Sequence, residues 1–269
     1  MAKRDFRLQR TKDTAKPTTL PGVGEQVGIS FDVIISGWKN FVLLFLCGVI
    51  GMILLVGTNF IFSETNWVFA TIVFLVVWLV AIYFARHVVA KKKVRFRDGL
   101  FNAMGPLIAT FVIFVVAAIE CVPVVLTVIA HSAANATGFL AEPFYAGLLF
   151  GFDVLMVLIT GYLLPSTLVA LVAVTAPGIY PIQALKSVSE LMMGRKVDLI
   201  CRLVVLCLVL GLAWVVILFP LVALKLPQIV LVVAAMILEC FSIIYMATYM
   251  YIYYRFLLDF SSEKKKPRK

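Results

Sequence analysis

Charge is scarce in this chain. Asp, Glu, Lys and Arg make up 14% of its 269 residues, against about 25% in soluble domains, and no polar stretch is long enough to fold as one. Histidine occurs twice, at His87 and His131, in segments expected on opposite membrane faces, so no shared metal site is expected. The five cysteines (Cys47, Cys121, Cys201, Cys207 and Cys240) lie inside apolar runs without C-x-x-C spacing. That argues against a redox or zinc motif and for small packing residues. Gly22, Gly24 and Gly28 have the wrong spacing for a dinucleotide fingerprint and follow no strand. Neither connecting surface offers a nucleophile with its base, an acid/base pair or a metal-ligand set. No catalytic residue, metal or cofactor is therefore assigned, and an enzyme is not expected.

What the chain has is apolar length. Apolar residues make up 63% of it and its mean hydropathy is +1.06. Crossing a hydrocarbon core of about 30 Å takes about 20 residues, and six runs qualify, at about 41–62, 67–90, 104–130, 144–176, 198–223 and 228–256. The expected fold is all-α, a polytopic membrane protein with six transmembrane helices arranged as three hairpins. Residues 1–26 read as a basic tail too polar to order, residues 27–258 as the membrane domain, and residues 259–269 as a second basic tail.

Lys and Arg are retained on the cytoplasmic side of short loops. With the N-terminus inside, residues 1–40 carry 7 of them, 86–97 carry 6, 186–202 carry 4 and 255–269 carry 6, leaving only Lys225 outside. Both termini are therefore expected in the cytoplasm. The formal charge of +10 is gathered on one face, where anionic lipid attracts each base by about 1 kcal/mol. Lipid accounts for this charge without nucleic acid, which is not expected as a partner.

Three segments on that face precede odd-numbered spans. Val27, Phe31, Ile34 and Trp38 recur at helical spacing and suggest an interfacial helix with its apolar stripe toward lipid. Lys91, Lys92, Lys93, Arg95 and Arg97 form a basic turn that reads either as an anionic-lipid clamp or as a topological anchor. From Tyr180 to Met192 a second amphipathic segment places Ile182, Leu185, Val188 and Met192 on one face. Gly194 breaks it, Arg195 and Lys196 anchor it as further anionic-lipid contacts, and Arg202 can snorkel back to the headgroups. Aligning Gly37 with Gly194 matches Ser30 to Ser187, Ile34 to Leu191 and Lys39 to Lys196, and Val94 to Met104 is a looser third copy. Parallel repeats about an axis along the membrane normal are expected. Elsewhere, Gly147 and Gly151 form a G-x-x-x-G step suited to close helix packing. Tyr245, Tyr249 and Tyr253, with Tyr251 and Tyr254, read as an interfacial aromatic belt.

The run A-L-K-S-x-S-E-L-M-x-G-R-K (Ala184 to Lys196), leading directly into a Leu/Val-rich span, resembles a cytoplasmic segment of bacterial six-helix inner-membrane proteins of largely unknown function. These are related to the membrane domain fused to some glycerophosphodiester phosphodiesterases. The resemblance implies a bacterial inner membrane and a structural membrane scaffold. It carries over no catalytic residue, and no phosphodiesterase domain is present.

Ionisable residues within spans are costly and point to function. Glu120, Asp153 and Glu239 lie about 15, 14 and 17 Å from the expected outer ends of their spans, so they could share one level. They read either as a cation or proton site among spans three, four and six, near Pro123 and Pro165, or as neutral carboxyls hydrogen-bonding across helices. Two functions follow. One is a scaffold or accessory protein that organises anionic lipids or partner membrane proteins. The other is a cation- or proton-coupled transporter or channel.

Overall fold

The structure, a computed structural model, describes residues 21–59, 66–138, 142–176 and 178–264. These residues form ten helices and no strand: α1 (Val23–Ser36), α2 (Trp38–Asn59), α3 (Asn66–Val89), α4 (Phe96–Ala103), α5 (Leu107–Glu120), α6 (Val122–Ala136), α7 (Pro143–Ala173), α8 (Pro181–Leu191), α9 (Lys196–Ala223) and α10 (Gln228–Lys264). Helix is the form that satisfies every backbone polar group within one segment, as lipid requires. Five helices, α2, α3, α7, α9 and α10, are long and apolar enough to cross a membrane. The pair α4 and α5, bent by 60°, raises the count to six. The protein is a multi-pass, all-helical membrane protein.

Several boundaries differ from those expected. The N-terminal tail was expected to extend to residue 26, yet α1 begins at Val23 and Gln26 is fully buried; residues 1–20 lie outside the described residues. At the other end α10 continues to Lys264, well into the expected tail, and residues 265–269 lie outside the described ones. The expected third span, 104–130, is interrupted: α5 ends at Glu120 and α6 starts at Val122. Pro123 lies in the first turn of α6, where it lacks the N–H a continuous helix would use.

Packing is concentrated at one end of the bundle. The buried residues include Phe41 and Leu44 of α2, residues 77–82 of α3, Thr110 and Ile113 of α5, residues 169–173 of α7, Leu199 and Leu206 of α9, and Tyr249, Met250 and Tyr253 of α10. Three contacts tie this end together. The Arg86 guanidinium donates to Thr175 O at 3.1 Å and to Thr175 Oγ1 at 2.7 Å, Asn40 donates to Val94 O at 3.1 Å, and Arg195 lies 3.8 Å from the Phe260 ring centroid. The bases of 86–97 and 195–202 belong to this basic end. Toward the opposite, far end the helices bury little, and α6 has no buried residue.

The short helices pack differently from the expected amphipathic pattern. On α1 the polar face turns inward: Gln26, Ser30 and Val33 are buried, while Phe31 and Ile35, and Trp38 at the start of α2, are exposed. On α8 the buried residues are Ala184 and Val188, with Met192 just beyond, while Ile182 is exposed. The expected Tyr belt is core instead, since Tyr245, Tyr249, Tyr251 and Tyr253 are all buried. Of the cysteines expected to pack, only Cys240 is buried; Cys47, Cys201 and Cys207 are exposed.

Glycine marks where helices do approach. A Cβ on Gly48 would run into Cys240 Sγ of α10 and touch Val77 of α3, whereas Gly147 and Gly151 have nothing within 4 Å of such an atom. The G-x-x-x-G step thus faces open space rather than a neighbouring helix of the chain. Gly48→Leu should lower stability by about 1–3 kcal/mol through overpacking. Gly147→Leu should leave stability level or slightly higher, because helical Gly costs about 0.5–1 kcal/mol relative to Ala. Thermal unfolding in detergent separates the two variants, and equal losses would contradict this packing.

Candidate functional site

Two groups of polar side chains enter the helix bundle. The first lies at the basic end around Arg202, whose position on α9 one turn after Asp198 sets up an i,i+4 pair. Arg202 is 4% exposed. Its Nε donates to Asp198 Oδ2 at 2.9 Å, its Nη1 to Gln26 Oε1 at 2.7 Å and its Nη2 to Pro21 O at 2.9 Å. The Tyr253 ring centroid lies 5.5 Å from its Cζ. Gln26 completes the bridge by donating Nε2 to Tyr249 O at 3.2 Å, and Tyr245 Oη donates to Val27 O at 3.0 Å. Arg202 therefore does not reach back to the headgroups as expected. It turns into the protein, because α1 and α10 supply acceptors and an aromatic face there. This explains the inverted face of α1: Gln26 must be inside to meet the guanidinium.

The second group lies between α7 and the run α5–α6. Glu120, the last residue of α5, accepts a hydrogen bond from Thr167 Oγ1 at 2.8 Å. His131 Nδ1 lies 3.5 Å from Asp153 Oδ2, with the two side chains 45% and 23% exposed. Fourteen residues of α7 separate these contacts against eleven on the opposite run, so α6 keeps following α7 antiparallel after the break. The less exposed positions of the run are 120, 121, 123, 124, 127, 130, 131 and 134, and beyond the break they keep helical spacing. The α7 partners Asp153, Thr160 and Thr167 are each seven residues apart and share one face.

The three expected site carboxylates are not brought together. Glu120 is level with Thr167, about 21 Å along α7 from Asp153. Glu239 is exposed on α10, and its neighbour Cys240 makes the inward contact, Sγ to Phe45 O at 3.6 Å. The error arose from treating 104–130 as one span with an end near 130. Because α6 runs on to Ala136, Glu120 lies deeper than expected relative to Asp153. Thr160, Thr167 and His131 were missed as partners, although the seven-residue repeat from Asp153 was readable.

Among the expected anionic-lipid contacts, Lys91, Lys92, Lys93, Arg95 and Arg97 are all exposed. Lys91 to Arg95 occupy the turn between α3 and α4, where Lys91 takes a left-handed conformation at φ 55°, and Arg97 follows in the first turn of α4 beside Asp98. Arg195 and Lys196 are half-buried and already engaged. Arg195 packs on Phe260, and Lys196 Nζ donates to Tyr162 O at 3.2 Å while lying 3.7 Å from the Tyr162 ring centroid.

Arg202→Met should destabilise the protein by about 3 kcal/mol, since it strands Gln26 and removes the partner of Asp198. Gln26→Leu combined with Arg202→Met should cost less than the sum of the single changes, because the two side chains share one hydrogen bond. Denaturant or thermal unfolding in detergent measures both, and strict additivity would contradict the coupling. Comparison with known protein families, with curated proteins and with solved structures finds no match.

Proposed function

We propose that this protein is a non-enzymatic membrane scaffold or accessory protein that gathers anionic lipid at its basic end. The observation that carries this reading is the α3–α4 turn. Five bases within seven residues, Lys91 to Arg97, are exposed together, and side chains in such a turn can meet several headgroups at once. With about 1 kcal/mol per base near an anionic surface, the cluster is a strong and salt-sensitive attractor. Arg195 and Lys196 take a lesser part, being held against aromatic rings.

The same charge distribution supports the finer topology. Six spans, α2, α3, α5 continued by α6, α7, α9 and α10, form three hairpins; α4, bent by 60° from α5, then lies with α1 and α8 at the cytoplasmic surface rather than in the span, and both termini are inside, as the positive-inside bias requires. The resemblance of Ala184–Lys196 to bacterial six-helix inner-membrane proteins supports that membrane as the location. The sparse packing at the far end favours partner membrane helices there, because α6 and most of α9 present apolar faces that the described residues leave uncovered.

Replacing Lys91, Lys92, Lys93, Arg95 and Arg97 with Gln should remove most of the preference for anionic over neutral phospholipid. Lipids retained by the full chain, quantified after purification into nanodiscs from mixed vesicles, read this directly. The wild-type preference should weaken as salt rises. An unchanged lipid ratio in the five-Gln variant would refute the lipid part of the proposal.

A further inference from the structure

Four buried side-chain polar atoms have no hydrogen-bond partner among the described residues: Trp78 Nε1, Glu120 Oε2, Asp153 Oδ1 and Thr160 Oγ1. Folded proteins satisfy nearly all such groups, so each exception calls for an explanation. Three of the four lie on one contact, that between α7 and the α5–α6 run. Thr160 is 6% exposed, and it stands on the α7 face that carries Asp153 and Thr167. The rungs Asp153, Thr160 and Thr167 are two turns apart, about 10.5 Å. Opposite them are His131, 3.5 Å from Asp153, and Glu120, hydrogen-bonded to Thr167. Thr127 lies on the same run between these two contacts, four residues before His131 and seven after Glu120. Its hydroxyl donates to Val124 O at 2.7 Å and keeps lone pairs to accept.

The two ends of this seam differ. At the far end His131 is half-exposed, and Ser132, Asn135 and Thr137 continue as exposed polar residues. Toward the basic end the seam runs into packed apolar side chains, Ile113 and Ala117 of α5 and Val169, Ala170 and Val172 of α7, all buried. Glu120 is thus the last polar group before a closed region. It also sits at the break in the helix run, between the end of α5 and the start of α6.

We propose that the seam is a hydrated half-channel, open at the far end, that delivers protons to Glu120. Hard cations need several oxygen ligands, whereas the entry here is an imidazole, a group suited to passing protons. A proton taken up from water at His131 passes along Asp153, Thr160 and Thr127 to the Glu120 carboxylate. It returns by the same route when the far-side pH rises. No charge crosses the apolar plug, so Glu120 follows the pH of one compartment only. The titratable groups along the seam are Glu120, Cys121, Asp153 and His131. The cation brought to α7 by another element is Lys196 of α9, which binds at Tyr162 on a different face of the helix. This site is independent of the lipid-binding turn, and either proposal can fail alone.

The test follows the Glu120 carboxyl C=O band by infrared spectroscopy of the full chain in nanodiscs, assigned by difference from Glu120→Gln. In wild type the band should appear at acid pH and shift promptly when H2O buffer is replaced by D2O. Thr160→Val, close in shape but without the hydroxyl, should slow that shift severalfold, and Thr160→Ser should restore it. The Glu239 band, assigned by Glu239→Gln, should be indifferent to both Thr160 changes. The proposal is overturned if Glu120 shows no protonated band at any pH, if the band fails to exchange in wild type, or if Thr160→Val exchanges as fast as wild type. Loss of the band on adding sodium at constant pH would show a metal cation in place of the proton and would also overturn it.

Discussion

A guanidinium withdrawn from water has to be met on all sides, and the basic end of this protein is organised around meeting one. Arg202 receives a carboxylate from its own helix, an amide and a backbone carbonyl from the segment at α1, and a tyrosine face from α10. An ion buried without such partners costs several kcal/mol, so these contacts hold their helices in one arrangement. They explain why α1, which looks like a lipid-surface helix, lies with Gln26 and Ser30 inside. They also explain why Tyr249 and Tyr253 are core residues: their phenol groups reach Arg202 O and Asp198 Oδ2 at 3.5 Å each.

From that end the bundle loosens. α3 is half buried, but only 6% of the most apolar window of α9 is, and α6 buries nothing. In lipid this is tolerable, because apolar side chains lose little by facing acyl chains in place of other helices. A carboxylate in the same setting is costly unless it is paired or protonated. Two polar contacts of the loose half lie along one line, Glu120 on Thr167 and His131 beside Asp153, while the broken run α5–α6 stays alongside α7; a separate one, Trp214 Nε1 donating to Ser242 Oγ, joins α9 to α10. The break at Cys121, two residues before Pro123, follows directly on Glu120, whose carboxylate accepts from Thr167 of α7.

Much of the architecture was legible in the chain. Apolar length located the five long apolar helices, although the third run is broken at Cys121, and Gly194, at φ 77°, lies in the turn between α8 and α9 as its position before two bases suggests. Side-chain roles were less legible. Tyr245, Tyr249 and Tyr253 have the same spacing whether they face a headgroup layer or a neighbouring helix. Likewise Ser30 and Ser187 occupy matching positions after alignment, yet Ser30 is buried and Ser187 exposed. The candidate site was half readable. Glu120 and Asp153 stood out because charge is rare in spans, but their depth depended on knowing that the run continues to Ala136.

What this sequence determined by itself is the solvent and the helices: long apolar segments broken by short basic turns can satisfy their backbones in lipid only as helices. Which side of each helix meets protein was decided by the tertiary structure alone. In water an apolar stripe identifies the buried face, because burial removes it from solvent. In a bilayer both faces of a helix are apolar and lipid is nearly as good a neighbour as leucine, so periodicity loses its meaning. The inward faces were chosen instead by close fit, as at Gly48, and by the few polar groups, Arg202, Gln26, Glu120 and Asp153, that have to find one another.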